Sequence, residues 1–287
     1  MSNGNSKFTN FKVHTQYSIC EGAIKIPDLA NYCKENKIPS IGISDNYNLC
    51  GALEFSQEIS KVGTQPIIGS QINFKYQDVI AKLPLFAKTE IGFQNLTKLS
   101  SKSYLDVKEN SEPHCLLKDL FEHGKDLIVL SGGIDSLFSK LIQMNKIKNL
   151  ENIILDLKKT FPNSFYFEIQ RHNDTGEKNL ENFYLKLSKK FNLPLIASQE
   201  IFYINQDMFE AHDALICIGE KTYVDEKNRK RFTDQHYFKT SSEIEKLYED
   251  IPEALENNFN FPKRFSYKLN KSEPNLPTLK SSGGTTE

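Results

Sequence analysis

The chain has 287 residues, 38% hydrophobic and 25% charged, with a formal net charge of -1. That length suits one large α/β domain or two small ones, and the near-zero charge gives no global attraction to nucleic acid or anionic lipid. No apolar run reaches the roughly eighteen residues of a membrane span, residues 1–10 are polar without a signal-type apolar stretch, and the five cysteines stand singly with no CxxC pair, as befits a reducing cytoplasm.

In chain order, short β-branched or apolar runs predict strands at 11–14, 40–43, 66–69, 83–87, 127–130, 165–169 and 195–197. Between them lie amphipathic stretches. Ala52, Phe55, Ile59 and Val62 share one helical face, as do Ile153, Ile154 and Leu157, and then Leu180, Phe183, Tyr184 and Leu187. This alternation argues for parallel strands with helical crossovers, in an open doubly wound sheet or a closed β/α barrel. No G-x-G-x-x-G follows the first strand, and Ser131-Gly132-Gly133 reads as a turn too short for a phosphate loop. Beyond Met208 the pattern becomes helical over 208–219, 241–248 and 252–260, with Ser241, Ser242, Glu243 and Glu245 forming a helix start. From Asn270 the chain is polar and rich in Pro, Ser, Gly and Thr, and reads as a linker.

In a β/α barrel the functional side chains stand at the C-terminal strand ends and in the loops that follow. There the chain reads VHTQYSICEGAIKI from Val13, SDNYNLCGALEF from Ser44 and PIIGSQINF from Pro66. Further on come LFAKTEIGFQNLTKLSSKSY, LIVLSGG, LPLIASQEIFYINQDMFEAHDAL and DIPEALENN. In order and spacing, over 11–277, these segments resemble the PHP (polymerase and histidinol phosphatase) domain, in the version that opens bacterial replicative DNA polymerase III alpha subunits. The resemblance implies a distorted seven-stranded β/α barrel of PHP type with a C-terminal helical extension. The implied divisions are a polar arm at 1–10, the barrel at 11–206, the helical extension at 207–269, and a linker at 270–287 toward a polymerase palm outside this chain.

Intact members of the family hold up to three metal ions with His, Asp, Glu and Cys. Carried over position by position, the opening H-x-H is Lys12-x-His14, and the acid shortly after is Glu21. The His of the next turn is Asn46, the Glu after the third strand is Gln71, and the His opening the fourth strand is Lys82. The Cys after the fifth strand is Gly133, and the closing D-x-H is Glu200-x-Phe202. Only His14, Glu21 and Glu200 retain a metal-binding side chain. A divalent ion needs several deprotonated donors on one point, whereas an ammonium about 4 Å away is repelled by about 8 kcal/mol at an effective dielectric near 20. Lys12 and Lys82 are therefore expected to pair with Glu21 or Glu200 in a polar cluster that replaces the metal.

No metal, cofactor or catalytic residue is expected in this chain, with Mg²⁺ confined to the absent palm. The resemblance implies a docking platform for a separate proofreading exonuclease subunit. The other implied partners are the remaining holoenzyme, with its sliding clamp and clamp loader, and DNA bound through the parent protein; no membrane is involved. The alternative is a stand-alone PHP phosphoesterase of the histidinol-phosphatase kind, which needs the missing ligands. His14 reads as structural and His212 as a member of a polar network. His114, His123, His172 and His236 read as exposed, and the basic run Lys227-Asn228-Arg229-Lys230-Arg231 before Phe232 as a solvated loop.

Overall fold

The computed structural model describes residues 8–273. Strands are β1 (Lys12–Val13), β2 (Ser40–Asn46), β3 (Gln65–Tyr76), β4 (Val79–Ala87), β5 (Cys115–Leu116), β6 (Leu127–Leu130), β7 (Phe165–Ile169), β8 (Leu195–Ala197) and β9 (Glu200–Ile201). Helices of the barrel region are α1 (Ile26–Glu35), α2 (Ala52–Lys61), α3 (Glu90–Leu105), α4 (Leu117–Glu122), α5 (Leu137–Gln143), α6 (Ile147–Thr160) and α7 (Glu177–Phe191). The extension holds α8 (Phe209–Glu220), α9 (Ser241–Leu247) and α10 (Pro252–Asn260).

The sheet runs in the order β8-β7-β6-β4-β3-β2-β1-β9, with β5 beside β3. Its two edge strands are separated in the chain only by Ser198 and Gln199. Three Cα steps span at most about 11 Å, so the edges must meet and the sheet must curl round on itself. β8 and β9 are the two halves of one broken strand, and the curled sheet has seven strand positions. All seven expected strands are present.

The sheet is mixed rather than parallel. β3 and β4 pair antiparallel, as do β4 and β6. Only Gln77 and Asp78 separate β3 from β4, and a connection that short permits a hairpin but no crossover helix. The expectation failed because β3 and β4 extend far beyond the apolar cores 66–69 and 83–87.

Side-chain alternation builds the inside. Ile128 and Leu130 of β6 join Ile67, Phe86, Tyr166 and Ile196 in one apolar cluster, while Leu127 and Val129 face the outer helices. Two residues further along the same parity, Tyr166 gives way to Glu168, and Phe86 and Pro84 give way to Lys82. The interior is thus apolar at one end and polar at the other. Gly69 is required at its position, because a Cβ there would lie 2.4 Å from the Phe86 ring.

The extension is bonded to the barrel. Asn258 of α10 accepts from Thr9 N at 2.8 Å and donates to Thr9 O and Ala197 O at 3.0 and 2.9 Å. Phe8 is buried and stacks on Tyr248, so 8–10 pack into the fold rather than forming an arm. α9 is capped by Thr240 in a capping box with Glu243, one residue earlier than the Ser241 start expected. The remaining parts of the expected arm and linker, 1–7 and 274–287, lie outside the described residues. Among the described residues no helix is long and apolar enough to cross a membrane.

Candidate functional site

Strand parity and the loops after β1, β2 and β9 bring the nine family positions to the polar end of the curled sheet. Lys12, with its side chain fully buried, points its Nζ 3.1 Å from Glu168 Oε1 and 3.7 Å from Glu200 Oε2. These are ion pairs by distance, but neither contact is a hydrogen bond, and Nζ has no hydrogen-bond partner among the described residues. His14 has Nε2 2.9 Å from Glu200 Oε1 and Nδ1 3.1 Å from Ser18 Oγ, so both ring nitrogens have partners. Gln71 Nε2 donates to Glu200 Oε1 at 2.5 Å. Phe202 stacks on His14 with ring centroids 4.4 Å apart.

Burial alone would push the Glu200 carboxyl upward. The Lys12 ammonium, His14 and the Lys82 ammonium reverse this and hold it well below the usual carboxylate range. Glu21 follows the same logic: burial raises it, but Lys230 and then Lys82 bring it below its ordinary value. Glu21 accepts from Asn46 Nδ2 and from Lys230 Nζ. Lys82 lies 3.9 Å from Asp135, not against Glu21 or Glu200, so only Lys12 makes one of the two lysine pairings expected. At Gly133 a Cβ would lie 2.1 Å from Gln170 Oε1; Gln170 fills the space a larger residue would need, and its Nε2 donates to Glu168 at 2.8 Å.

This donor set does not fit a divalent ion at the family positions. Two ammonium groups, two amides, a glycine and a phenyl ring stand among three retained donors, and Lys12 faces the carboxylates of Glu200 and of the neighbouring Glu168.

The PHP domain profile matches residues 10–172, more than half of the chain. The chain belongs to the PHP domain family. It is 33% identical over 288 residues to DNA polymerase III subunit alpha of Caulobacter vibrioides, covering 98% of this chain and 25% of that protein. It is 34% identical over 285 residues to the Borreliella burgdorferi subunit, covering 95% and 25%. It is 32% identical over 275 residues to the Rickettsia bellii subunit, covering 96% and 24%. This PHP domain chain therefore spans about a quarter of the length of the curated relatives it matches, and the matched part is their N-terminal portion.

Several residues of the PHP cleft were not legible in the sequence. Glu168 stands inside β7, where an acid between Phe167 and Ile169 in an otherwise apolar strand is a signal for an internal charge. Asp45, also buried, accepts from Thr15 N, Thr15 Oγ and Ser18 Oγ and so fixes the β1 loop. The basic run is solvated only in part: Lys227, Asn228 and Arg231 are exposed, while Arg229 and Lys230 turn inward. Arg229 makes a bidentate pair with Asp213 at 2.6 Å on each arm, Lys230 reaches Glu21, and Phe232 packs on Phe202 with centroids 4.5 Å apart. His212 is a network member as expected, buried, with Nε2 2.8 Å from the Glu21 carbonyl.

His172 and His236 are buried, not exposed, because residues 232–238 fold across β9 and cover them. With Asp174 they place three donor atoms within 4.8 Å of one another. By proximity this group could hold a metal ion, so the expectation of a chain without any metal centre is not established. The rings, however, stack with planes 5° apart and centroids 4.2 Å apart. Lone pairs lie in the ring plane, and parallel, offset planes share no point. His172 has Nδ1 3.1 Å from Glu177 Oε1 and accepts Glu200 N–H on Nε2 at 3.0 Å. Burial, then His236 and Lys239, keep its imidazole well below the ordinary histidine range, which suits an acceptor nitrogen. His236 has Nδ1 2.9 Å from Glu200 O and Nε2 3.2 Å from Asp174 Oδ2. Of the three, His236 and Asp174 are the pair whose donor atoms face each other.

Proposed function

We propose that this chain is the N-terminal PHP region of the catalytic subunit of a cytoplasmic replicative DNA polymerase, and that it acts there as a metal-free scaffold docking the proofreading exonuclease subunit. Synthesis of DNA, the Mg²⁺ it uses, and contact with DNA, the sliding clamp and the clamp loader belong to the rest of the parent protein. The observation that carries the scaffold reading is Lys12: its ammonium lies between Glu168 and Glu200, where a divalent ion would otherwise be held. A cation already covalently attached to the barrel neutralises those carboxylates and removes the reason to recruit one from solution. The similarity to DNA polymerase III alpha subunits over almost the whole chain supports the parent assignment over a stand-alone phosphoesterase.

The test is metal analysis of the purified chain, 3′–5′ hydrolysis of a labelled primer, and co-elution with the exonuclease subunit. The expected result is no hydrolysis and a stable complex. Stoichiometric metal, with hydrolysis abolished by His14→Ala, overturns the scaffold reading.

A further inference from the structure

The residues that follow β7, the start of α7, the 235–239 segment and α9 border an open cleft of about 710 Å³. That volume lies within the range of small-molecule sites. Tyr237 and Leu247 give it an apolar wall. None of its residues belongs to the nine family positions, so the cleft stands apart from the site described above.

The carboxylates of the cleft are all taken. Asp174 Oδ2 lies 3.2 Å from His236 Nε2. Glu177 accepts from the N–H groups of His172 and Asn173 at 2.7 and 2.9 Å. Glu181 is held by Arg171 and Lys178 at 2.9 and 2.8 Å. Glu243 accepts from the Tyr237 hydroxyl at 2.6 Å and from the Thr240 N–H and hydroxyl at 2.7 Å each.

The cations are not. Arg171 and Lys178 are spent on Glu181, and Arg171 also on Asp250. Lys239 and Lys246 have no carboxylate within 4.0 Å among the described residues. Lys239 is half-buried and gives one of its three N–H groups to the Gln235 carbonyl. Its ammonium lies 4.6 Å from the centre of the Tyr237 ring. Burial pulls that ammonium down from the ordinary lysine range to about 8, against the opposing pulls of Glu243, Glu177 and Asp234. A charge withdrawn from water without a paired carboxylate is under-compensated, and an incoming anion relieves it.

We infer that this cleft binds a small organic dianion with a ring-sized apolar body, whose negative charges meet Lys239 and Lys246 while the body lies against Tyr237 and Leu247. A neutral or cationic ligand would leave both ammonium groups unmatched. Two carboxylates on one ring, or a single phosphate monoester, supply the two charges.

The test is calorimetric titration of the full chain, at low salt, with isophthalate, with phenyl phosphate and with benzamide as the neutral ring. At least one dianion is expected to bind with a Kd of about 1 mM or tighter, and the tighter of the two tells which head group the cleft takes. Benzamide is expected to bind at least about tenfold more weakly. Lys239→Met is expected to weaken the better dianion at least about tenfold, and the exposed Lys246→Gln to weaken it less. Lys61→Gln, on α2 and paired with Glu58, is the control and leaves binding unchanged. Thermal melts without ligand confirm that each variant is folded, and Lys246→Gln carries the test where Lys239→Met does not fold. The site is overturned if neither dianion binds below about 10 mM, if benzamide binds as well as the dianions, or if the folded lysine variants bind like wild type.

Discussion

Lys12 Nζ lies 3.1 Å from Glu168 Oε1, and neither side chain is exposed. Glu168 also accepts from Gln170 Nε2 and Ser198 Oγ, so the pair is embedded in a network that joins β1, β7 and the β8–β9 break. Removing one member of a buried pair strands the other charge. Lys12→Met is therefore expected to destabilise the fold by about 3–5 kcal/mol, read as a shift of the urea midpoint. Lys12→Met with Glu168→Gln is expected to cost less than the sum of the two single changes, by a coupling of about 0.5–3 kcal/mol. Strict additivity would show that the two groups do not interact.

Gly133 meets Gln170 Oε1 at 2.1 Å from where its own Cβ would be. Gly133→Cys, which puts back the residue type implied by the family resemblance, must push Gln170 away from Glu168. The expected cost is about 1–3 kcal/mol from crowding and the lost hydrogen bond. Adding Gln170→Ala relieves the crowding, so the double variant is expected to melt higher than Gly133→Cys alone. A double variant that melts lower still would show that the clash is not the cause.

How far such features could be read from the chain depended on distance in sequence. β6 and β7 fall at the expected bounds because their residues are almost all apolar, and the expected helix face of Leu180, Tyr184 and Leu187 lies in α7, which ends at the left-handed Asn192. The β3–β4 hairpin lies outside the expected cores because Gln71 to Lys82 mixes polar residues among Ile72, Phe74, Val79 and Ala81, and so carries no continuous apolar run to mark the pairing of Asn73 with Lys82 and Phe74 with Ala81. At the site, the strand-end positions were legible because local motifs carry them. Their partners were not: Lys230 meets Glu21 and His236 meets Glu200 only through tertiary folding of the 221–240 segment. Charge and polarity in that segment suggested solvent, yet Arg229, Lys230, Phe232, His236 and Phe238 pack inward while Tyr223 stays exposed.

An added divalent ion is expected at His236 and Asp174, the facing pair of the buried group, rather than at the positions carried over from the family. Zn²⁺ or Mn²⁺ titrated into the wild-type chain is expected to bind weakly, since two protein donors are fewer than a closed site requires. His236→Ala is expected to abolish whatever binding remains, and His14→Ala to leave it unchanged. Calorimetry on the three proteins checks this. Loss of binding in His14→Ala would return the ion to the family cleft.

His212 gives the fold an acid-sensitive point. Burial lowers its imidazole from an ordinary value near 6.5 to about 4, against the opposing pull of the Glu21 carbonyl. In the unfolded chain the group protonates near 6.5, so below that pH the unfolded state binds more protons than the folded one. Its stabilising contribution is complete above about pH 6.5 and is lost as pH falls toward 4, where the folded form also takes up the proton. A shift of that size corresponds to about 3 kcal/mol at most. His212→Gln keeps an N–H donor for the Glu21 carbonyl and removes the titration. Its urea stability is expected to fall less steeply than wild type between pH 6.5 and 4, with the two curves parallel above pH 7. Parallel curves throughout would show that His212 does not carry the acid sensitivity.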